Sequence, residues 1–227
     1  MSEKKKEVRR IFDSIAPKYD LLNHLLSGGV DYYWRKRALR MTGMNKDSIL
    51  LDIACGTGDV AIEAKKMGVE RIYGGDFSFN MLSQFNRKKE WIRGMNFQMA
   101  AEFPPVKDES FTNITVAFGV RNFYDIELAL GKFFHILKKG GKVTILEFSL
   151  PRNFVFKAIY QFYFRRILPL VGRMISKDPS AYTYLPESVN QFDKEIDLVA
   201  ILTKSGFPNV KQKFLTFGIV QIVIAQK

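Results

Sequence analysis

Apolar and polar positions divide the chain into four stretches with different rhythms. Over residues 1–46, Val8, Ile11, Phe12 and Ile15 recur at helical spacing, which predicts amphipathic helices broken at Pro17 and at the Gly28–Gly29 pair. From 47 to 150 short apolar runs alternate with helical patterns. Ile49–Ala54, Arg71–Asp76, Asn96–Ala100, Ile114–Phe118 and Lys142–Phe148 read as strands. Asn80–Lys88 and Ile126–Leu137 read as helices, the second closed by Gly140–Gly141 as a C-cap. Strands alternating with helices predict a parallel sheet covered on both faces. Residues 151–190 break this rhythm with aromatic and basic side chains punctuated by prolines. Residues 191–227 give one more helix, Asp193–Ser205 ended at Gly206, then strand-like runs Val210–Phe214 and Ile219–Ala225. Only a few residues around Thr216–Gly218 separate those runs. A parallel crossover needs about a dozen, so this pair forms an antiparallel hairpin. The expectation is a single α/β domain with a mostly parallel, seven-stranded sheet ending in a hairpin.

Composition narrows the function classes. Apolar residues make up 47% and charged residues 26% of 227, which suits one soluble domain with a real core. The single thiol, Cys55, excludes an internal disulfide and a cysteine metal cage; with only His24 and His135 besides, no metal site is expected. The opening MSEKKKEVRR is charged and lacks the apolar core of a secretory signal, which with the free thiol points to the cytoplasm. No uncharged apolar stretch reaches the roughly 20 residues of a membrane span. The net charge of +12 favours an anionic partner, either nucleic acid or an acidic membrane surface.

The chemistry centres on "LLDIACGTGD", residues 50–59, an apolar strand running into Gly56-Thr57-Gly58. With Ala61 this reads G-x-G-x-x-A, and Asp76 ends the next strand about twenty residues on, where a ribose-binding acid belongs. By spacing alone a nicotinamide dinucleotide and S-adenosylmethionine fit equally. Three observations favour the second. Asp52, just before the glycines, suits a cationic cofactor and repels a pyrophosphate. No separate substrate domain follows the sheet. The terminal hairpin is the hallmark of the class I methyltransferase sheet. Asp76 then accepts from the ribose hydroxyls, and the adenine lies near Phe77 and Ala100–Ala101.

Further strings are more specific. "YDLLNHLLSGGVDYYW" (Tyr19–Trp34), "FGVRNF" (Phe118–Phe123), "LKKGGKVTILEFS" (Leu137–Ser149), "YTYLPESV" (Tyr182–Val189) and "LTFGIVQI" (Leu215–Ile222) together resemble the ubiquinone/menaquinone biosynthesis C-methyltransferases, from about Ile11 to the C-terminus. The resemblance implies a Rossmann-like class I methyltransferase fold, S-adenosylmethionine as cofactor, and methylation of a ring carbon on a prenylated hydroquinone. It implies cofactor contacts at Thr57 and Asp76, a polar pair after the third strand and a serine near the end of the fourth. Here the chain departs, with Ala100–Ala101 and Ala117 at those places. Backbone groups remain there, and each neutral hydrogen bond lost costs about 0.5–1.5 kcal/mol.

An aromatic carbon becomes a good nucleophile only when the neighbouring hydroxyl loses its proton. Arg121, after the fourth strand, is the candidate for holding that phenolate, since a guanidinium stays charged and is a poor base. Asn122 is the candidate for the second ring oxygen; the alternative is that Arg121–Asn122 caps the helix near Asp125. Tyr19 and Asp20 belong to a segment expected to fold over the cofactor, Tyr19 as proton relay or as the lid's anchor. His24 is a candidate base near neutral pH or a packed residue, while His135 and Cys55 read as structural.

Residues 152–177 hold six basic side chains and no acidic one. Val155, Ala158, Ile159 and Phe162 form one stripe and Lys157, Gln161 and Arg165 another. Such a helix suits an anionic lipid interface, so a substrate lid with peripheral binding to the inner face of the membrane is expected; the alternative is a lid whose aromatics pack on the sheet. Other readings are methylation of a different small aromatic or lipid acceptor, and a non-catalytic quinone- or lipid-binding relative. A nucleic-acid amino-methyltransferase needs Asn/Asp-Pro-Pro-aromatic after the fourth strand, where this chain reads Gly-Val-Arg-Asn-Phe, so no nucleic-acid partner is expected. Oligomeric state stays open, a homodimer included.

Overall fold

Five runs pair in parallel: β1 (Ile49–Ile53), β2 (Arg71–Asp76), β3 (Asn96–Gln98), β4 (Phe111–Ala117) and β5 (Leu137–Phe148). Two more, β6 (Asn209–Leu215) and β7 (Val220–Gln226), form the expected antiparallel hairpin, with β7 lying against β5. The order across the sheet is β3-β2-β1-β4-β5-β7-β6. This computed structural model describes the backbone of residues 3–167 and 180–227 and, within them, every side chain except those of residues 3–7, 22, 165 and 180–183.

Strand alternation sends side chains into two layers. Leu51, Ile53, Ile114, Val116, Val143 and Ile145 pack against Leu130 and Phe133 of α6 (Ile126–Ile136) and Leu202 of α9 (Leu198–Lys204). Leu50 and Ile72 face the other way, onto α3 (Val30–Thr42), α4 (Asp59–Lys66) and α5 (Phe79–Lys88) through Leu39, Ala61 and Phe85. Burial on both faces explains why the central strands are continuous apolar runs. Each fully buried Leu, Ile or Phe contributes about 1.5–3 kcal/mol. Local caps set the helix starts: Ser78 Oγ accepts from Met81 N (3.1 Å), and Asp125 Oδ1 from Leu128 N (2.9 Å).

The N-terminal stretch forms α1 (Glu3–Ile15), α2 (Tyr19–Leu26) and α3, with Pro17 in a 3-10 turn and Gly28 and Gly29 in the left-handed region. α1 contacts α5 and α8 (Ser180–Glu195), so these helices reach across the carboxyl edge of the sheet.

Two expectations are corrected. Gly140–Gly141 does not cap α6; the helix ends at Ile136 and Leu137 is already extended. Pairing resumes from Phe111↔Leu137 to Asn113↔Lys142, so Lys138–Gly141 loop out of the ladder, where Gly140 N donates to Lys227 O (2.9 Å). The single helix Asp193–Ser205 is two: α8 ends at Glu195, and Asp197 restarts α9 by accepting from Val199 N (3.0 Å) and Ala200 N (3.1 Å).

The basic aromatic stretch forms α7 (Phe154–Phe162), continued by a π-helical turn over Tyr163–Ile167. Its residues 168–177 lie outside the described residues. The predicted stripe Val155, Ala158, Ile159 and Phe162 is exposed, as is Phe154, while Tyr160 and Phe164 turn inward onto Leu150 and Val189. One face therefore packs inward and the other is left to solvent. No helix among the described residues is long and apolar enough to cross a membrane.

Candidate active site

The carboxyl ends of β1, β2 and β4 meet where the strand order reverses, the place where open α/β sheets form a crevice. The loop after β1 turns through Gly56 (φ +54°) and Gly58 (φ +88°). The two glycines serve different ends. A Cβ on Gly58 would lie 2.2 Å from the Phe85 ring, so this glycine lets α4 pack against α5. Gly56 turns its N–H onto Asp76 Oδ2 (2.8 Å) and lines the crevice. The cavity there opens to solvent and spans about 830 Å³ with its mouth included.

Asp76 is its chemical centre. Oδ2 takes the Gly56 N–H and Oδ1 the Ser78 N–H (2.8 Å each). Each carboxylate oxygen keeps an acceptor position, which is what two adjacent ribose hydroxyls require. Burial pushes the Asp76 carboxyl up to about 6, against the pull of those amides. Phe77, Ala100, Ala101 and Ala117 also line the cavity, offering apolar surface and backbone groups. The site therefore fits an adenosine ligand lacking phosphates. The structure places Asp52, Thr57 and Gly58 behind this wall. Asp52 accepts from Thr115 Oγ1 (2.7 Å), its Oδ2 has no hydrogen-bond partner among the described residues, and burial pushes its carboxyl up to about 7. The Thr57 hydroxyl turns to Asp20 in α2, which also pairs with Lys88 (2.8 Å).

A second, more apolar chamber of about 1,560 Å³ adjoins the first, and Phe12, Tyr19 and Phe118 border both. Tyr19 thus stands at the junction, with burial raising its hydroxyl pKa. Arg121 lines the second chamber, but its guanidinium is already held: Nη1 donates to Glu147 Oε1 (2.7 Å) and Phe118 O (2.5 Å), Nε to Ser188 Oγ (3.3 Å). Asn122 faces the first cavity, where its Oδ1 accepts from Tyr184 OH (2.7 Å). Neither caps α6, since Asp125 does so itself. His24 borders neither chamber. Its Nδ1 meets Asp31 Oδ2 (2.7 Å), its ring stacks on Tyr32, and it lines a separate polar hollow with Asp59 and Lys88, which removes it from the candidate bases.

Three residues of the site escaped the sequence reading. Glu147 is fully buried in β5. Glu102 is buried in the cavity wall and accepts from Tyr124 N (2.6 Å). Arg9 of α1 lies 5.6 Å over the Phe77 ring. For Glu147 a signal existed: a lone carboxylate inside a buried strand must find a cation.

The model of the ubiE/COQ5 methyltransferase family matches residues 1–227. The chain belongs to this family. It is 40% identical over 233 residues to the ubiquinone/menaquinone biosynthesis C-methyltransferase of Geotalea daltonii, covering 100% of this chain and 99% of that protein. It is 41% identical over 225 residues to the demethylmenaquinone methyltransferase of Thermus thermophilus, covering 96% and 100%. Two crystal structures share the fold at 19% identity and a TM-score of 0.66: S-adenosylmethionine-dependent methyltransferases from Thermotoga maritima (96% of this chain, 99% of that one) and Methanococcus maripaludis (95% and 93%). As a ubiE/COQ5 family member the chain is an S-adenosylmethionine-dependent methyltransferase, and the nicotinamide alternative falls away.

Proposed function

We propose that this enzyme methylates a ring carbon of a prenylated hydroquinone, resembling demethylmenaquinol, at the junction of its two chambers. The observation that carries the reading is the shared border at Phe12, Tyr19 and Phe118, which puts an apolar chamber next to the crevice that Asp76 lines. S-adenosylmethionine fits the crevice, with Asp76 on its ribose; when bound it supplies a methyl group on a positively charged sulfur. The rest falls to the chain. Tyr19 and Phe118 exclude water between the chambers, and Arg121, whose Nη2 has no bond among the described residues, donates to the acceptor oxygen. The acceptor hydroxyl's proton passes to water at the chamber mouth, the acceptor carbon's electron pair makes the new bond, and the carbon–sulfur pair stays on sulfur. The oxygen regains a proton as the ring carbon gives up its own to restore aromaticity, so one proton is released in all. Positioning of this kind can supply several kcal/mol, up to about 7–11.

The exposed face of α7 supports the origin of the substrate. Phe154, Val155, Ile159 and Phe162 stand in solvent beside Phe217, which stacks on Phe156 at 4.1 Å. Phe156 and Ile159 also line the acceptor chamber, so its mouth opens on this face. Lys157, Arg166, Lys211 and Lys213 are exposed on the same and adjoining elements. This combination suits peripheral binding to an anionic bilayer from the cytoplasmic side, with the prenyl tail passing through the mouth.

The test is direct. Purified protein with S-adenosylmethionine and demethylmenaquinol, kept reduced in detergent, yields a product one methylene heavier by mass spectrometry. Unchanged acceptor, with cofactor binding intact by calorimetry, defeats the reading. Flotation with anionic vesicles tests the surface: protein left unbound at low salt removes the membrane from the account.

A further inference from the structure

The walls of the acceptor chamber carry three charged residues among those described, Asp31, Arg35 and Arg121. Each is already paired. Arg35 binds Asp31 in a buried bridge and also approaches Asp59 (3.5 Å). Arg121 binds Glu147, whose side chain has no exposed surface; besides the 2.7 Å bond, Glu147 Oε2 takes the Arg121 backbone N–H (3.3 Å). The other groups facing this pair add no charge. Tyr160 from α7 and Tyr19 from α2 are kept neutral by burial, and Ser188 and Tyr184 from α8 are uncharged. Asp193, further along α8, is occupied by Leu150 N (3.1 Å) and Arg152 (3.3 Å).

We propose that Glu147 is a positioning residue that fixes the Arg121 guanidinium and cancels its charge, so that the acceptor becomes a phenolate only while a positively charged methyl donor occupies the neighbouring crevice. The inference rests on the reading above. Arg121 then acts as an oriented hydrogen-bond donor and supplies no net charge. A phenolate alone would place an uncompensated charge in an apolar chamber, which is strongly disfavoured. The cofactor crevice cannot compensate it: its described charged residues are Arg9, Asp76 and Glu102, an excess of carboxylates. The balancing charge is therefore the sulfonium itself. Once the methyl has left, the neutral thioether no longer supports an anion, so the oxygen regains a proton as the ring carbon loses its own, and the hydroquinone product leaves neutral. The consequence is an acceptor activated only when it can react.

The test is a spectroscopic titration of a bound 4-methoxy-2-methyl-3-prenyl-1-naphthol, whose acceptor carbon is already blocked and whose neutral and ionised forms differ in absorbance. It is bound to the wild-type enzyme with either S-adenosylhomocysteine, which is neutral at sulfur, or sinefungin, which carries an ammonium there. The expected midpoint with sinefungin lies about one pH unit or more below that with S-adenosylhomocysteine, a tenfold change in ionisation constant. The midpoint with S-adenosylhomocysteine is no lower than that of the free naphthol. A midpoint already lowered with S-adenosylhomocysteine would overturn the proposal, because Arg121 would then be acting as an uncancelled charge; so would equal midpoints with the two cofactors. Glu147→Gln is expected to lower the S-adenosylhomocysteine midpoint by a similar tenfold factor, and an unchanged one also overturns it. The wild-type titrations decide the matter even if that variant does not fold. Methyl transfer to demethylmenaquinol, measured separately, distinguishes failure here from failure of the proposed function.

Discussion

Lowering the pH from 7 to 5 titrates the residue proposed to hold the cofactor's ribose. Burial holds the Asp76 carboxyl up at about 6, above its ordinary 3.8, so the free enzyme becomes protonated there across this interval. A ribose whose two hydroxyls both donate to Asp76 binds the ionised form, because a protonated oxygen offers a donor where an acceptor is needed. Binding then carries one linked proton. Apparent affinity falls by a factor of one plus the protonated-to-ionised ratio, about tenfold at pH 5 and almost nothing at pH 7. Calorimetry with S-adenosylhomocysteine at half-unit steps reads the curve directly, and running it in buffers of different ionisation enthalpy counts the proton. Asp76→Asn supplies the control. It keeps one acceptor oxygen and removes one hydrogen bond to a charged acceptor, about 1.5–3 kcal/mol, so affinity at pH 7 falls roughly tenfold to hundredfold and becomes flat with pH. An affinity independent of pH in the wild type, or an Asp76→Asn variant that keeps the slope, would show that Asp76 does not hold the sugar.

The remaining expectations follow from single contacts. Arg121→Ala lowers kcat by at least a hundredfold while cofactor affinity stays within threefold; because it strands Glu147 it also costs about 3–5 kcal/mol of stability, checked by urea denaturation, and near-normal turnover removes Arg121 from the mechanism. Gly58→Ala drives a methyl into the Phe85 ring, so it destabilises by at least the usual overpacking cost of about 1–3 kcal/mol, and Phe85→Leu partly restores it. Asp52 has its folded pKa raised to about 7, so the stability it allows is full below its ordinary 3.8 and lost as pH rises through 7. Asp52→Asn therefore gains of the order of 4 kcal/mol on the wild type at pH 8 and nothing at pH 4, read from denaturation midpoints at the two values. Replacing Phe154, Ile159 and Phe162 together by serine abolishes vesicle flotation without changing the thermal midpoint, since all three are exposed.

What the sequence revealed, and what it hid, divides along the range of the interactions. Strand runs such as Arg71–Asp76 were legible to the residue because burial on both faces writes itself into consecutive positions. The position of Asp76 at the end of β2, in the crevice wall, was legible because strand, turn and helix lengths fix its distance from the glycines. The helix written as Asp193–Ser205 failed at Asp197, where a capping carboxylate outweighs an apolar periodicity that runs on past it. His24 failed for a different reason: its partners Asp31 and Asp59 come from other helices, and nothing local to Tyr19–Leu26 encodes that meeting.

Glu147 shows the limit most clearly, since its neighbours Leu146 and Phe148 read only as strand. Its meaning depends on Arg121, 26 residues earlier, which β4–β5 pairing brings to it. Arg121 by itself looks like the cation that a phenolate needs. Beside a fully buried carboxylate it is half of a neutral pair, and the charge that drives the chemistry must be sought elsewhere. Recognising a motif identifies which side chains matter, but the sign of the field they create is decided by long-range partners. In this enzyme that distinction separates a site that would ionise its acceptor at any time from one that does so only with the methyl donor in place.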